Sequence, residues 1–181
     1  MKPRILIQGP DGAGKTTLGV DLADYYQIPY LKFSQSKSVS EALEVTQNVI
    51  DNYPYCVIDR IKALDHMIYG ALIDGLRFST DEMSQMVDSL DRLVAPSNAY
   101  IIFLHATPEI LWQRLTQRGD ETYIQFDHLR HIIAYYRYFI GSRRNCLTID
   151  TSHKNSANVF HIAKEWIDHH GISVHFAGPK C

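Results

Sequence analysis

The chain has 181 residues, 45% apolar and 21% charged, ordinary proportions for a folded domain that exclude a disordered chain. Its length predicts one domain that buries a core without a disulfide or metal staple. Eighteen Lys and Arg against 20 Asp and Glu leave a net charge of −2, which gives no electrostatic footprint for polymeric nucleic acid. Three cysteines, Cys56, Cys146 and Cys181, have no CxxC spacing and fit the reduced thiols of a cytoplasmic protein. Apolar runs reach only about five residues, far short of the ~20 that a membrane span needs, and Met1 leads into a strand-like segment rather than a signal peptide.

Ile5-Leu6-Ile7 is the first apolar run bounded by turn residues, and it predicts a buried strand. Thr16 to Tyr26 follows with Leu18, Leu22 and Tyr26 at helical spacing, and Ile28 to Phe33 reads as a second strand. Ser38 with Glu41 has the pattern of a capping box, opening a helix that Val45 and Val49 carry to about Asn52. Tyr55 to Ile58 is a third strand ending on Asp59, residues 64–76 read as helix, and Ser79 with Glu82 opens another helix that Pro96 closes. Tyr100 to Leu104 is a fully apolar fourth strand. Thr107-Pro108-Glu109 starts a helix with a cap, a proline in the first turn and an acid near its positive end, and that helix ends near Gly119. Phe126 to Ile140 is helical, Cys146 to Ile149 is the fifth strand, and Val159, Ala163 and Trp166 line a last helix. In the tail, Ile172 to Phe176 reads as an edge strand. Apolar strands alternating with helices predict a three-layer α/β/α domain with a five-stranded parallel sheet, whose ligands sit at the carboxyl ends of the strands.

The residues after the first strand carry the strongest chemical signal. Gly9-Pro10-Asp11-Gly12-Ala13-Gly14-Lys15-Thr16 matches G-x-x-x-x-G-K-[ST], with Thr17 next. Glycines let successive amides turn toward phosphate oxygens, and the following helix points its positive end at the same anion. Lys15 then reaches the outer phosphates, and the Thr16 hydroxyl is a ligand for Mg²⁺. Asp59, at the tip of the third strand, suits a Mg²⁺–water shell, and Arg60 beside it offers a bidentate fork to a second anion. Arg114 and Arg118 lie four apart on one helix, next to the polar segment Gly119-Asp120-Glu121-Thr122. Two such cations are suited to closing over a transferring phosphoryl group, Arg118 ahead of Arg114. Phe33 and Tyr69 are aromatic faces suited to stacking on an acceptor base. His128, His131, His169 and His170 have no acid or cysteine cluster to complete a metal site.

Asp11 to Thr17, Asp59-Arg60, Thr107-Pro108-Glu109 leading to Arg114 and Arg118-Gly119, and Ile149-Asp150-Thr151-Ser152 occur in the order found in thymidylate kinases, and the sequence resembles that family over about residues 4–168. The resemblance implies the P-loop nucleoside monophosphate kinase fold, a mobile lid around residues 117–125, ATP and Mg²⁺ as cofactors, and a homodimer. It implies that Gly9, Asp11, Gly12, Ala13, Gly14, Lys15, Thr16 and Thr17 hold ATP phosphates, and that Asp11 also meets the acceptor sugar. Arg60 would hold the acceptor phosphate, and Thr151 to Lys154 would flank adenine. Lys15, Asp59, Arg114 and Arg118 would be the catalytic set. The chain departs from the family pattern at Ile61, at Leu64 and Asp65, at Gly70, and near Tyr123, where a lid arginine is expected.

Deoxynucleoside kinases are the rival. Asp65 and Tyr69, Ala106-Thr107-Pro108-Glu109 and Phe126-Asp127-His128-Leu129 look like that family. A nucleoside 5′-hydroxyl needs a carboxylate base, which that family carries at the tip of the second strand. Here Leu31-Lys32-Phe33-Ser34-Gln35 has no acid, whereas a monophosphate acceptor is already ionised and needs cations such as Lys32 and Arg60. The expectation is therefore transfer from Mg-ATP to a deoxynucleoside 5′-monophosphate, with a deoxynucleoside kinase as the alternative. A nucleotide switch lacks the N-K-x-D motif, and a DNA-directed kinase lacks a basic groove; both are outsiders.

Overall fold

The structure is a computed structural model that describes residues 2–120, 124–141, 143 and 145–173. Its centre forms where the sequence is most uniformly apolar. Ile5, Leu6 and Ile7 of β1 (Arg4–Gln8) and Ile102, Phe103 and Leu104 of β4 (Ala99–His105) are completely buried. Strands covered on both faces read as apolar runs rather than alternations. β1 lies between β4 and β3 (Cys56–Asp59); β2 (Tyr30–Lys32) flanks β3, and β5 (Cys146–Asp150) flanks β4. The order is β2-β3-β1-β4-β5 and every pairing is parallel.

Parallel neighbours need crossovers, and seven helices are present among the described residues. α1 (Lys15–Tyr26) packs on β1, β2 and β3 and against α7 (Ser156–Ser173), which also meets β5. α4 (Thr80–Val94) and α6 (Phe126–Ile140) lie on β4, with α2 (Val39–Asn52), α3 (Lys62–Leu72) and α5 (Pro108–Arg118) packed around them. The result is the three-layer α/β/α domain with a five-stranded parallel sheet that the alternation predicts. Among the described residues no helix is long and apolar enough to cross a membrane.

Local chemistry sets the helix ends. Ser79 accepts the Glu82 amide while the Glu82 carboxylate accepts the Ser79 amide, a complete capping box for α4. At α2 the box is only half made: Ser38 accepts the Glu41 amide, but the Glu41 carboxylate takes the Lys37 amide instead. Thr107 caps α5, and Gly119, with φ +73°, ends it in the left-handed region.

Several boundaries differ from expectation. α1 opens at Lys15 rather than Thr16, and β2 is only three residues long because Ile28-Pro29 belongs to the turn before it. The helix expected over 64–76 runs from Lys62 to Leu72, since the chain turns at Gly75 (φ +66°) and brings Leu76 and Phe78 back over Gly70. A Cβ on Gly70 would stand 3.1 Å from both side chains. The tail strand is corrected in part: α7 continues through Ile172 and Ser173, because a single glycine such as Gly171 costs a helix only about 1 kcal/mol. Val174 to Phe176 lie outside the described residues, as do Glu121 to Tyr123 of the expected lid and the position of its missing arginine.

The amino end of the sheet is held by Arg4, which is 3% exposed. Its guanidinium donates to Tyr53 O at 2.8 and 3.1 Å, to Ile50 O at 3.3 Å and to Leu93 O at 3.3 Å. These carbonyls end α2 and α4, so one cation caps the negative ends of two helices.

Candidate active site

β1 delivers the glycine loop to the carboxyl edge of the sheet. Gly9 has φ +141°, and any Cβ there would collide with the Leu104 carbonyl oxygen, so only glycine lets the loop leave β1 against β4. Lys15, the first residue of α1, is buried and folds back to donate to Gly9 O at 2.7 Å and Pro10 O at 2.8 Å. Burial and then Arg60 push its ammonium pKa down, opposed by Asp11, Asp65 and Asp59. The loop thus holds its lysine on its own carbonyls, beside the helix N-terminus that an incoming phosphate would meet.

The register β1–β3 pairs Ile7 with Asp59, and β2–β3 pairs Lys32 with Asp59, so the strand-end acid sits beside the loop. Asp59 is 1% exposed. Its Oδ2 accepts from the Thr16 hydroxyl at 2.7 Å and from the Tyr30 hydroxyl at 2.8 Å, while its buried Oδ1 has no partner. Burial and the bond to Asp59 push the Tyr30 hydroxyl up to about 12.

Arg60 follows with φ +78°, an unusual backbone for a residue with a side chain. Its fork is taken on both sides: one arm donates to Asp11, the other to Asp65 at 3.2 Å, and the guanidinium lies 5.7 Å from the Tyr69 ring centroid. Tyr136, on α6, donates its hydroxyl to the other Asp65 oxygen at 2.6 Å, and the Asp11 amide donates to the Tyr69 hydroxyl at 3.2 Å. Burial alone would lower the Arg60 pKa, but Asp65 and Asp11 outweigh it and raise it. Burial opposes ionisation of Asp11, yet Lys15 and Arg60 prevail and hold its carboxyl below the usual range. At Asp65 burial wins and pushes the carboxyl up, against Arg60.

The two arginines expected to act together on α5 are parted by one helical turn. Arg114 is spent on backbone and loop: it donates to Gly12 O at 3.1 Å, Thr151 Oγ1 at 3.1 Å and Thr151 O at 2.7 Å, tying the glycine loop to the segment after β5. Arg118 is 55% exposed, pairs with Asp120 at 3.1 Å, and faces the same space as Asp11 and Arg60. Tyr69 also differs from expectation. It is 2% exposed, lies under Arg60 and supports Asp11, so it offers no free face for stacking. Phe33, just past β2, is half-buried against the core.

Three cavities run along this edge. One of about 220 Å³ lies between the glycine loop, Thr17, Arg114, Thr151 and Lys154. A second of about 250 Å³ holds Asp11, Gly12, Gly14, Lys15, Thr16 and Thr17 together with Lys32, Arg60, Arg118 and Asp120. The third, about 300 Å³, continues past Arg60 and Arg118 to Leu115 and Ile124. Gly12, Gly14 and Thr17 belong to the first two; Asp11, Arg60, Arg118 and Asp120 belong to the last two. Such a row suits a donor nucleotide at one end, its phosphates in the middle and an acceptor at the other. Sequence reasoning placed the loop, Asp59 and Arg60 here but gave Tyr30 no role and read Tyr136 as core on the apolar face of its helix, within a tyrosine group of which one could stack on the acceptor base. The signals were weak, because each looks like an ordinary apolar-face tyrosine.

Sheet order, glycine loop and strand-end acid together define a P-loop kinase fold, and solved structures share it. The crystal structure of YorR from Bacillus subtilis, in complex with phosphorylated GDP, superposes with a TM-score of 0.69 at 21% identity, covering 92% of this chain and 97% of that one. Deoxyadenosine kinase from M. mycoides with bound dATP gives 0.67 at 14% identity, covering 91% and 99%. The chain belongs to the deoxynucleoside kinase family, whose model matches residues 31–170. It is an ATP-dependent kinase of nucleosides or nucleotides. Among curated proteins, the SPbeta prophage-derived uncharacterized protein YorR of Bacillus subtilis (strain 168) is 28% identical over 74% of this chain and 79% of its own length. A probable thymidylate kinase of Picrophilus torridus is 26% identical over 76% and 81%. The thymidylate kinases, first in the motif resemblance, are thus the weaker relation.

Proposed function

We propose that this kinase transfers the γ-phosphoryl group of Mg-ATP to a deoxynucleoside 5′-monophosphate, giving the diphosphate. The observation that carries this reading is the charge of the middle cavity: Lys15, Lys32, Arg60 and Arg118 line it, against Asp11 and Asp120. β2 ends on Lys32, where a hydroxyl acceptor would call for a carboxylate base. Asp11 makes a poor base, since Lys15 and Arg60 hold it ionised at low pH. A monophosphate oxygen is already ionised. It attacks the γ-phosphorus, the bond to the β–γ bridging oxygen breaks, and ADP leaves without a proton to be removed. The thymidylate kinase relative agrees with a phosphorylated acceptor.

The reaction asks for alignment and charge neutralisation. Lys15 exchanges the Gly9 and Pro10 carbonyls for phosphate oxygens, Arg118 meets the transferring group, and Arg60 turns one arm from Asp11 to the acceptor phosphate. Thr151 and Lys154 flank the donor base, and Arg114 holds that wall to the loop. Thr16 and Asp59 suit Mg²⁺: the Thr16 proton is given to Asp59, which leaves the hydroxyl lone pairs free, and Asp59 keeps one oxygen without a partner. When bound there, Mg²⁺ neutralises charge on the β- and γ-phosphate oxygens.

A second reading, transfer to a nucleoside 5′-hydroxyl, draws on the family match, with the unpartnered Asp59 oxygen as the base. ADP release from Mg-ATP, measured with separate panels of deoxynucleosides and their 5′-monophosphates, separates the two. Stimulation by monophosphates supports the first reading and names the base; stimulation by nucleosides alone overturns it in favour of the second.

A further inference from the structure

Gly19 lies buried inside α1, a position where glycine costs about 1 kcal/mol relative to alanine. The structure shows what occupies the space. A Cβ on Gly19 would stand 2.7 Å from Cε2 and 3.5 Å from Cδ2 of Tyr30, so the edge of that ring fills the notch left by the absent side chain. Seated there, Tyr30 reaches from β2 to Asp59 Oδ2 at 2.8 Å, beside the Thr16 hydroxyl at 2.7 Å. Tyr30 lines neither the donor cavity nor the phosphate cavity.

Two hydroxyls therefore donate to one carboxylate oxygen, with different consequences. Thr16 has a single proton, and giving it to Asp59 turns its lone pairs outward. That orientation requires the carboxylate to stay put, and its other oxygen is without a partner. A carboxylate fixed at one oxygen by Thr16 alone would pivot about that bond; the second donor, on a ring wedged against α1, removes the freedom.

We infer that Tyr30, seated by Gly19, is a positioning residue for the Thr16–Asp59 pair: it fixes the carboxylate that orients the cation-holding hydroxyl and touches no substrate. This rests on the reading of Thr16 and Asp59 as the holders of Mg²⁺.

The test uses Mn²⁺ as the probe, its binding to the full-length protein with ADP followed by loss of the free-ion EPR signal, so that no turnover is needed. Outer partners of metal-holding groups are worth about 10–100-fold in metal affinity. Tyr30→Phe, which keeps the ring, is therefore expected to weaken Mn²⁺ binding about tenfold and raise the Mg²⁺ needed for half-maximal rate by a similar factor, with the acceptor KM moving less than about twofold. Gly19→Ala should shift metal affinity the same way by displacing the ring, and should add nothing in a Tyr30→Ala background. Asp59→Asn separates the two levels of the argument. If it weakens Mn²⁺ binding while Tyr30→Phe does not, the role of Tyr30 is overturned and the cation site stands. If Asp59→Asn leaves Mn²⁺ binding unchanged, both fall. An acceptor KM that rises in Tyr30→Phe as much as the metal requirement would reveal a general loosening and also overturn the inference.

Discussion

Arg4 and Arg60 stand at opposite ends of the sheet, and both have their guanidinium nitrogens engaged within the fold. Arg4 is surrounded by neutral carbonyls from the ends of α2 and α4, whereas Arg60 is gripped by two carboxylates. The electrostatic outcomes are opposite. Burial lowers the Arg4 pKa with only a weak counter-effect from Cys56, while at Arg60 the carboxylates overcome burial and raise it. Backbone geometry differs too: Arg4 sits in a regular strand, and Arg60 holds φ +78°, a departure that costs of order 1–3 kcal/mol and persists where surroundings over-determine it. A guanidinium on helix-end carbonyls closes the fold and has nothing to exchange. One held by carboxylates beside a cavity can trade an arm for an arriving phosphate at little cost in charge. The first is architecture; the second, on the proposed function, is a binding device.

That division fails if activity and stability follow the same residues. The largest effect is expected at the lysine of the glycine loop: Lys15→Ala should cut kcat by about 10³-fold or more, in the range seen when a phosphate-neutralising cation is removed. Wild-type-like turnover in a steady-state assay would remove the carboxyl edge as the site of chemistry. Arg60→Ala should come next, raising the acceptor KM by about 100-fold, the loss of a two-armed charge-assisted contact, with the ATP KM changing far less. An unchanged acceptor KM would take Arg60 out of the acceptor site. Arg4→Met should behave in the reverse way. It leaves three helix-end carbonyls, one buried and two partly buried, short of a donor and should cost about 2–4 kcal/mol, lowering the melting temperature by several degrees. Its kinetic constants should match the wild type in the fraction that remains folded. A kinetic defect larger than the loss of folded protein would erase the contrast between the two ends.

Much of this was legible in the sequence, for a specific reason: its strongest signals are local. The apolar runs named all five strands, and the glycine loop carries its phosphate-binding geometry within eight consecutive residues. Asp59 and Arg60 were placed by the rule that parallel strands present chemistry at their carboxyl ends. What was not legible is who holds whom. Asp65 and Tyr136 meet across 71 residues, and nothing in an aromatic-rich helix says that one hydroxyl turns inward to a carboxylate. Arg114 and Arg118 share a helix face, but one turn of rise separates a loop tether on the first cavity from a residue of the other two. Tyr69 offers an aromatic face suited to stacking and is instead the bed on which Arg60 lies. The role of Arg4 is not legible because its partners are main-chain carbonyls, which leave no mark on composition.

The smallest expected effect is the sharpest probe of the carboxylate grip. Tyr136→Phe keeps the buried ring and removes only the hydroxyl that donates to Asp65 Oδ1. Burial already pushes the Asp65 carboxyl above its ordinary value, and the tyrosine hydroxyl is one of the groups pulling it back down. A raised carboxyl in the folded chain takes up its proton earlier, as pH falls, than the same group in the unfolded chain. Ionised Asp65 therefore weighs against the fold above its folded-state pKa, and protonation removes that burden together with one anchor of Arg60. Asp11 runs the other way: its contribution is complete above the ordinary carboxylate range and is lost only as pH falls through its lowered value. The acid side of a pH profile for acceptor kcat/KM should accordingly report Asp65 before Asp11. In Tyr136→Phe that limb should begin at higher pH, with the neutral-pH rate lowered only slightly. A limb that stays in place would mean that Arg60 is positioned by Asp11 alone, and Asp65 would then join Arg4 as a buried charge serving the fold.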